Sequence, residues 1–121
     1  LGSSLGGLAA LYGIGKYPKY FESALAFSPH WVIGSEPLVL EILSQLPKPG
    51  QNKIWMSRGT KGLDNQYQPF QDIADKRLIS LGWTAEEDFI SRVFKGDRHS
   101  ESSWSIRVKE ALHFWLKNPT I

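Results

Sequence analysis

Leu1-Gly2-Ser3-Ser4-Leu5-Gly6-Gly7 runs straight into the apolar stretch Leu8–Ile14, and the reading of the whole chain turns on this junction. Its central five residues, Gly2 to Gly6, have the form G-x-S-x-G. A serine in that pattern sits on a tight strand-to-helix turn, and glycines two residues to either side let backbones pack where a Cβ would clash. Ser4 would then stand ahead of a helix N-terminus, where free N–H groups and the helix dipole favour developing negative charge. The backbone N–H of Leu5 would be one donor to an oxyanion. The same five letters also arise as a plain Gly/Ser turn before a buried helix, so the motif alone leaves both readings open.

Working outward, apolar runs alternate between two periods. Residues 5–16 carry Leu5, Leu8, Leu11, Tyr12 and Ile14 among small residues, which reads as a helix buried on most sides, with Lys16 suiting its dipole and Pro18 ending it. Glu22–Ser28 is a short apolar strand stopped by Pro29, and Lys53–Ser57 and Phe89–Phe94 are two more. Pro37, at a first helical turn, precedes a short amphipathic helix over Leu38–Leu46 that Pro47 closes. Tyr67, Phe70, Ile73, Ala74, Leu78 and Leu81 recur at helical spacing, with Gly82 as the cap. Trp104, Val108, Ala111, Leu112 and Trp115 mark one face of a last helix. Short apolar strands alternating with helices argue for a parallel sheet covered on both faces, a three-layer αβα architecture. Three strands are visible and a fourth must feed Ser4, so the sheet is expected to be incomplete.

Composition narrows the function classes. The chain has 121 residues, 41% hydrophobic and 12% aromatic, enough for one modest globular core. A formal charge of +2 with interspersed signs implies no nucleic-acid partner. No apolar run approaches a membrane span. The absence of cysteine excludes disulfides, thiolate metal sites and a cysteine nucleophile. No metal or cofactor is expected, a cytoplasmic location is the default, and the oligomeric state is left open.

A serine hydroxyl attacks poorly unless a base and an orienting acid support it. Three histidines are available. His113 shares a polar helix face with Arg107, Glu110 and Lys117 and reads as a solvated residue. His30 follows a strand end, a position that can line a pocket, but comes early for the base. His99 lies in the loop after the last strand, where the order Ser, Asp/Glu, His delivers the base. Asp64, beyond the C-terminal end of the second visible strand, falls between the two and would hold the His99 tautomer, although an aspartate there could equally cap the next helix. Asp97 stands too close to His99 in sequence to be the better acid. A dinucleotide fingerprint, a phosphate loop and a zinc deaminase site all lack required residues.

With these positions assigned, the whole chain resembles the C-terminal half of the putative-esterase family of α/β-hydrolases, the group of esterase D and the enterochelin esterases. Gly2-Ser3-Ser4-Leu5-Gly6-Gly7-Leu8 is similar to its elbow, and Lys16-Tyr17-Pro18 with Phe21 to its K-Y-P stretch. Phe27-Ser28-Pro29-His30-Trp31, Gly59-Thr60 with Leu63-Asp64 and Tyr67, and His99-Ser100-Glu101 with Trp104 resemble its later motifs in the same order. The resemblance implies a serine esterase acting on small carboxylic esters through an acyl-enzyme, with Ser4, Asp64 and His99 as triad and His30 and Trp31 near the substrate. It implies that residues 1–121 are the C-terminal part of one α/β-hydrolase catalytic domain whose N-terminal strands are absent. Expressed alone, such a stretch is expected to be inactive and poorly folded. Acyl transfer to a sugar or polyol, and a non-catalytic binding module on the same fold, remain the alternatives.

Overall fold

A computed structural model of the chain describes residues 1–117. Four strands form one parallel sheet in the order β1 (Gly2–Ser3), β2 (Ser23–Phe27), β3 (Lys53–Arg58) and β4 (Phe89–Val93). The strand that Ser4 requires is present as two residues, paired Gly2 to Ala26 and Ser3 to Phe27. Helices α1 (Leu5–Lys16), α2 (Ser35–Ser44) and α3 (Gln68–Ser80) connect successive strands, and α4 (Glu101–Leu116) follows β4. Each strand is laid down beside the last in one direction, so handed crossovers deposit α1 to α3 on a single face.

Strand alternation divides the core accordingly. Ala24, Ala26, Ile54 and Met56 meet Leu8, Leu11, Ile14, Val39, Leu43, Ala74 and Leu78 on that face. Leu25, Phe27, Trp55 and Ile90 point the other way, against Ala111 and Phe114 of α4. The result is the three-layer α/β architecture expected, with both sheet faces buried.

Pro37 in a first helical turn and Gly82 as a cap agree with the sequence reading, while one helix start and two buried faces differ from it. Helix α2 begins at Ser35, so that Pro37 and its missing N–H fall in the first turn, where an N–H has no intrahelical partner anyway. Gly82 takes φ +97° after α3, and the Trp83 N–H closes onto the Leu78 carbonyl at 3.0 Å, a left-handed cap that only glycine enters cheaply. Helix α1 buries one face, not most of its surface: Leu5 and Tyr12 remain more than half exposed. On α4 the buried residues are Arg107, Ala111 and Phe114, while Trp115 faces outward.

The two elbow glycines are unequal. A Cβ on Gly2 would collide with the backbone carbonyl of Gly6, whereas a Cβ on Gly6 would meet nothing within 4 Å. The second close approach instead belongs to Gly7, where a Cβ would lie 3.1 Å from Pro29 Cα. Gly2→Ala is therefore expected to lower stability by about 1–3 kcal/mol, because both colliding groups are backbone. Gly6→Ala, inside a helix with open space around it, is expected to be neutral or to stabilise by up to about 1 kcal/mol. Thermal melts of the two variants check this, and equal losses would refute the asymmetry.

Candidate active site

Each strand delivers one part of the site at its C-terminal end, the edge at which α/β sheets gather ligands. Ser4 stands between β1 and α1, at the N-cap position of the helix, with φ 56° and ψ −120°, a strained non-glycine backbone held by its N–H bond to Phe27 O at 2.9 Å. The Ser4 carbonyl accepts N–H bonds from Gly7 at 3.0 Å and His30 at 3.2 Å, which fixes the turn from both sides. The N–H of Leu5, first residue of α1, has no intrahelical acceptor and is free to serve an external one.

Ser28 follows β2 at φ 48°, and Gly59 follows β3. The loop beyond β3 folds into a short 3₁₀ turn, Gly62–Gln66, carrying Asp64. Asp64 is fully buried and does not cap α3. Its Oδ2 accepts the Gly59 N–H at 2.6 Å and the Ser28 hydroxyl at 2.6 Å. Its Oδ1 lies 2.7 Å from His99 Nδ1. A carboxylate only accepts, so the proton on His99 belongs on Nδ1. That leaves Nε2 with a lone pair facing the Ser4 hydroxyl at 2.9 Å. Ser4, His99 and Asp64, 95 and 35 residues apart in their two contacts, thus form one continuous hydrogen-bonded chain.

The surroundings hold this chain in position. The His99 ring meets Trp104 edge-to-face at 4.9 Å and Tyr67 at 5.7 Å. The Trp104 indole N–H donates to Ser28 Oγ at 3.1 Å, and Arg107 Nη1 donates to the same oxygen at 3.1 Å. With two donors already upon it, the Ser28 hydroxyl can give its own proton only to Asp64. Arg107 is also fully buried, Nη1 reaching Ser57 Oγ at 3.0 Å and Nη2 lying 3.2 Å from Asp97 and 4.0 Å from Asp64. Burial draws its pKa down, against the bonds and charge of Asp97 and the charge of Asp64. Burial likewise pushes the Tyr67 phenol well above its ordinary range, reinforced by the Asp64 carboxylate and opposed by the Ser4 hydroxyl beside it.

The sequence expectations are distributed unevenly over this site. Ser4, Asp64, His99 and the Leu5 N–H come together, and His30 stands beside them with Nδ1 at 2.7 Å from the Tyr67 hydroxyl. Trp31 does not line the site: it is fully buried in the core under α1 to α3, its indole N–H given to Gln71 Oε1 at 3.0 Å, and it offers no surface to a ligand. Arg107 does not share a solvated face with His113. Ser28, Tyr67, Trp104 and Arg107 are the members that residue chemistry alone did not single out. Among the described residues no group of three or more His, Asp or Glu could hold a metal ion, and no helix is long and apolar enough to cross a membrane. A cleft of about 650 Å³ at the opposite end of the strands, lined by Asn52, Lys53, Glu86, Arg92 and His113 among others, shares no residue with this site.

Comparison with known proteins agrees with this architecture. No curated protein sequence matches the chain. Among solved structures, the enterobactin esterase FES from Shigella flexneri, determined in the presence of 2,3-di-hydroxy-N-benzoyl-serine, superposes with a TM-score of 0.68 at 18% identity. The match covers 95% of this chain and 30% of that one, a likeness of fold. The family model described as Putative esterase matches residues 1–113, nearly the full length and all the residues of the hydrogen-bonded chain, and the protein belongs to that esterase family.

Proposed function

We propose that this chain carries the catalytic residues of a serine esterase that cleaves small carboxylic esters. The observation that supports it most is the unbroken line from Ser4 Oγ to His99 Nε2 at 2.9 Å and from His99 Nδ1 to Asp64 Oδ1 at 2.7 Å. Both distances lie within the reach that general-base catalysis needs. Ser4 Oγ attacks the ester carbonyl while its proton passes to His99 Nε2. The oxyanion that forms is received by the Leu5 N–H at the head of α1. His99 then returns the proton to the departing alkoxide, leaving Ser4 acylated. Water, deprotonated by His99, attacks the acyl-enzyme and releases the acid and free Ser4. The Asp64 carboxylate, on His99 Nδ1, compensates the imidazolium. Family membership and the likeness to an enterobactin esterase support the ester as substrate class. Residues 1–121 are read as the portion of an α/β-hydrolase domain bearing nucleophile, acid and base, in keeping with coverage of 30% of that neighbour.

A fluorophosphonate probe tests the reading, because it reacts only with a serine activated as described. The intact protein is expected to be labelled stoichiometrically at Ser4. Ser4→Ala should abolish labelling, and Lys61→Ala, an exposed loop change, should leave it intact. An unlabelled wild type would reject the enzyme in favour of a binding module.

A further inference from the structure

The triad does not account for a second histidine joined to the same site. His30 Nδ1 lies 2.7 Å from the hydroxyl of buried Tyr67, and that hydroxyl lies 3.5 Å from His99 Nδ1. The three rings pack as a cluster, with His30 and His99 centroids 6.2 Å apart. The His30 N–H also bonds the carbonyl of Ser4 at 3.2 Å, so the backbone of His30 is tied to the nucleophile itself.

We propose that Tyr67 is a positioning residue for His99, and that neutral His30 sets the direction in which the Tyr67 proton points. This rests on the catalytic reading of Ser4 and His99 given above.

The proton count fixes the arrangement. Tyr67 owns one hydroxyl proton and stays protonated, since burial and the Asp64 charge oppose its ionisation. Neutral His30 accepts that proton at Nδ1, the shorter of the two contacts. The lone pairs of Tyr67 Oη are then left for the Nδ1–H of His99, which thus has Asp64 as its main acceptor and Tyr67 as a second. When His99 gains the Ser4 proton, the new cation finds both acceptors already oriented, at no cost in reorganisation. A protonated His30 reverses this order. Its Nδ1 becomes a donor, the Tyr67 proton is turned back towards Ser4 and His99, and a like charge stands 6.2 Å from the imidazolium that must form.

The other charged groups facing His99 are Asp64 and, behind it, Arg107 and Asp97. His30 is joined to His99 through the Tyr67 hydroxyl, so a change in its charge is felt there.

The test is the pH profile of ester hydrolysis by the intact protein, with p-nitrophenyl acetate as the probe ester. Tyr67→Phe keeps the ring and its packing but removes the acceptor. Its kcat is expected to fall about tenfold with KM changed less than twofold, the size of one weak charge-assisted bond. Losing an acceptor disfavours protonated His99, so the acid limb of kcat/KM should move to lower pH, opposite to the drop in rate. His30→Gln retains an acceptor for Tyr67 without a titratable charge. Its acid limb should be less steep than that of the wild type, because the charge at position 30 no longer changes with pH. Unchanged kcat and limb in Tyr67→Phe, or an unchanged limb in His30→Gln, would overturn the inference. Fluorophosphonate labelling separates the two levels. A wild type inert to the probe rejects the catalytic reading, whereas a labelled wild type with unaltered variants rejects the Tyr67 role alone.

Discussion

Asp64→Asn is expected to reduce kcat about 10⁴-fold while leaving the fold intact, the scale seen when the acid of a serine triad is made an amide. The geometry gives the reason. Asp64 Oδ2 accepts two hydrogen bonds at 2.6 Å, from the Gly59 N–H and the Ser28 hydroxyl. Ser28 cannot turn its proton elsewhere, because Trp104 and Arg107 both donate to its oxygen. An asparagine must therefore put its carbonyl oxygen at the Oδ2 position and its NH₂ at the Oδ1 position, 2.7 Å from His99 Nδ1. That NH₂ can only donate, so His99 must accept at Nδ1 and carry its proton on Nε2. Nε2 then faces Ser4 with a hydrogen in place of a lone pair, and the base is lost without any atom being displaced. Steady-state ester hydrolysis checks the size, and a parallel thermal melt should remain within a few degrees of wild type. A fall in kcat of less than tenfold would remove Asp64 from the proposed mechanism.

The order of the fold could be read from the sequence because each element carries its own period. The alternation of Ala24, Leu25, Ala26 and Phe27 serves a sheet buried on both faces, and the spacing of Leu8, Leu11 and Ile14 serves a helix buried on one. What misled the reading of α1 was the abundance of apolar residues, since an exposed Leu5 or Tyr12 looks in sequence like a buried one. The site was legible where a residue type has few uses, as with a histidine after the last strand. It was illegible where the partner is set by tertiary contact. Ser28 is an ordinary strand-end serine until Asp64 arrives from 36 residues away. Trp31 adjoins His30 in sequence, yet the 3₁₀ turn Trp31–Ile33 sends one side chain into the core while the other stays by the site. Arg107 offered a clue that charge obscured. It lies three residues after Trp104, four before Ala111 and seven before Phe114, which is the buried stripe of a helix.

That buried position makes Arg107 the residue whose loss should cost most in stability. Its guanidinium joins three strand ends: Asp97 after β4 through Nε at 3.3 Å and Nη2 at 3.2 Å, Ser57 of β3 at 3.0 Å and Ser28 after β2 at 3.1 Å. It also stacks 4.8 Å over the ring of Phe94. Arg107→Met fills similar volume but leaves Asp64 and Asp97 without their shared cation, Ser57 without the donor it has in Arg107, and Ser28 with Trp104 alone. Breaking a buried ion pair in this way costs about 3–5 kcal/mol, or a fall in melting temperature of roughly 10–20 °C. Most of that cost is the charge left behind, not the bonds removed. Neutralising the partner should therefore return some of it. Arg107→Met with Asp97→Asn is expected to be more stable than the sum of the two single changes by about 0.5–3 kcal/mol. Strict additivity would mean that Arg107 and Asp97 contribute independently and that their pairing adds nothing to stability. Arg107→Lys should fall between, because a compact ammonium keeps the charge but cannot span acceptors on three strand ends as the planar fork does. The same substitution ought to slow catalysis as well, for Arg107 is one of the two donors that force the Ser28 proton onto Asp64.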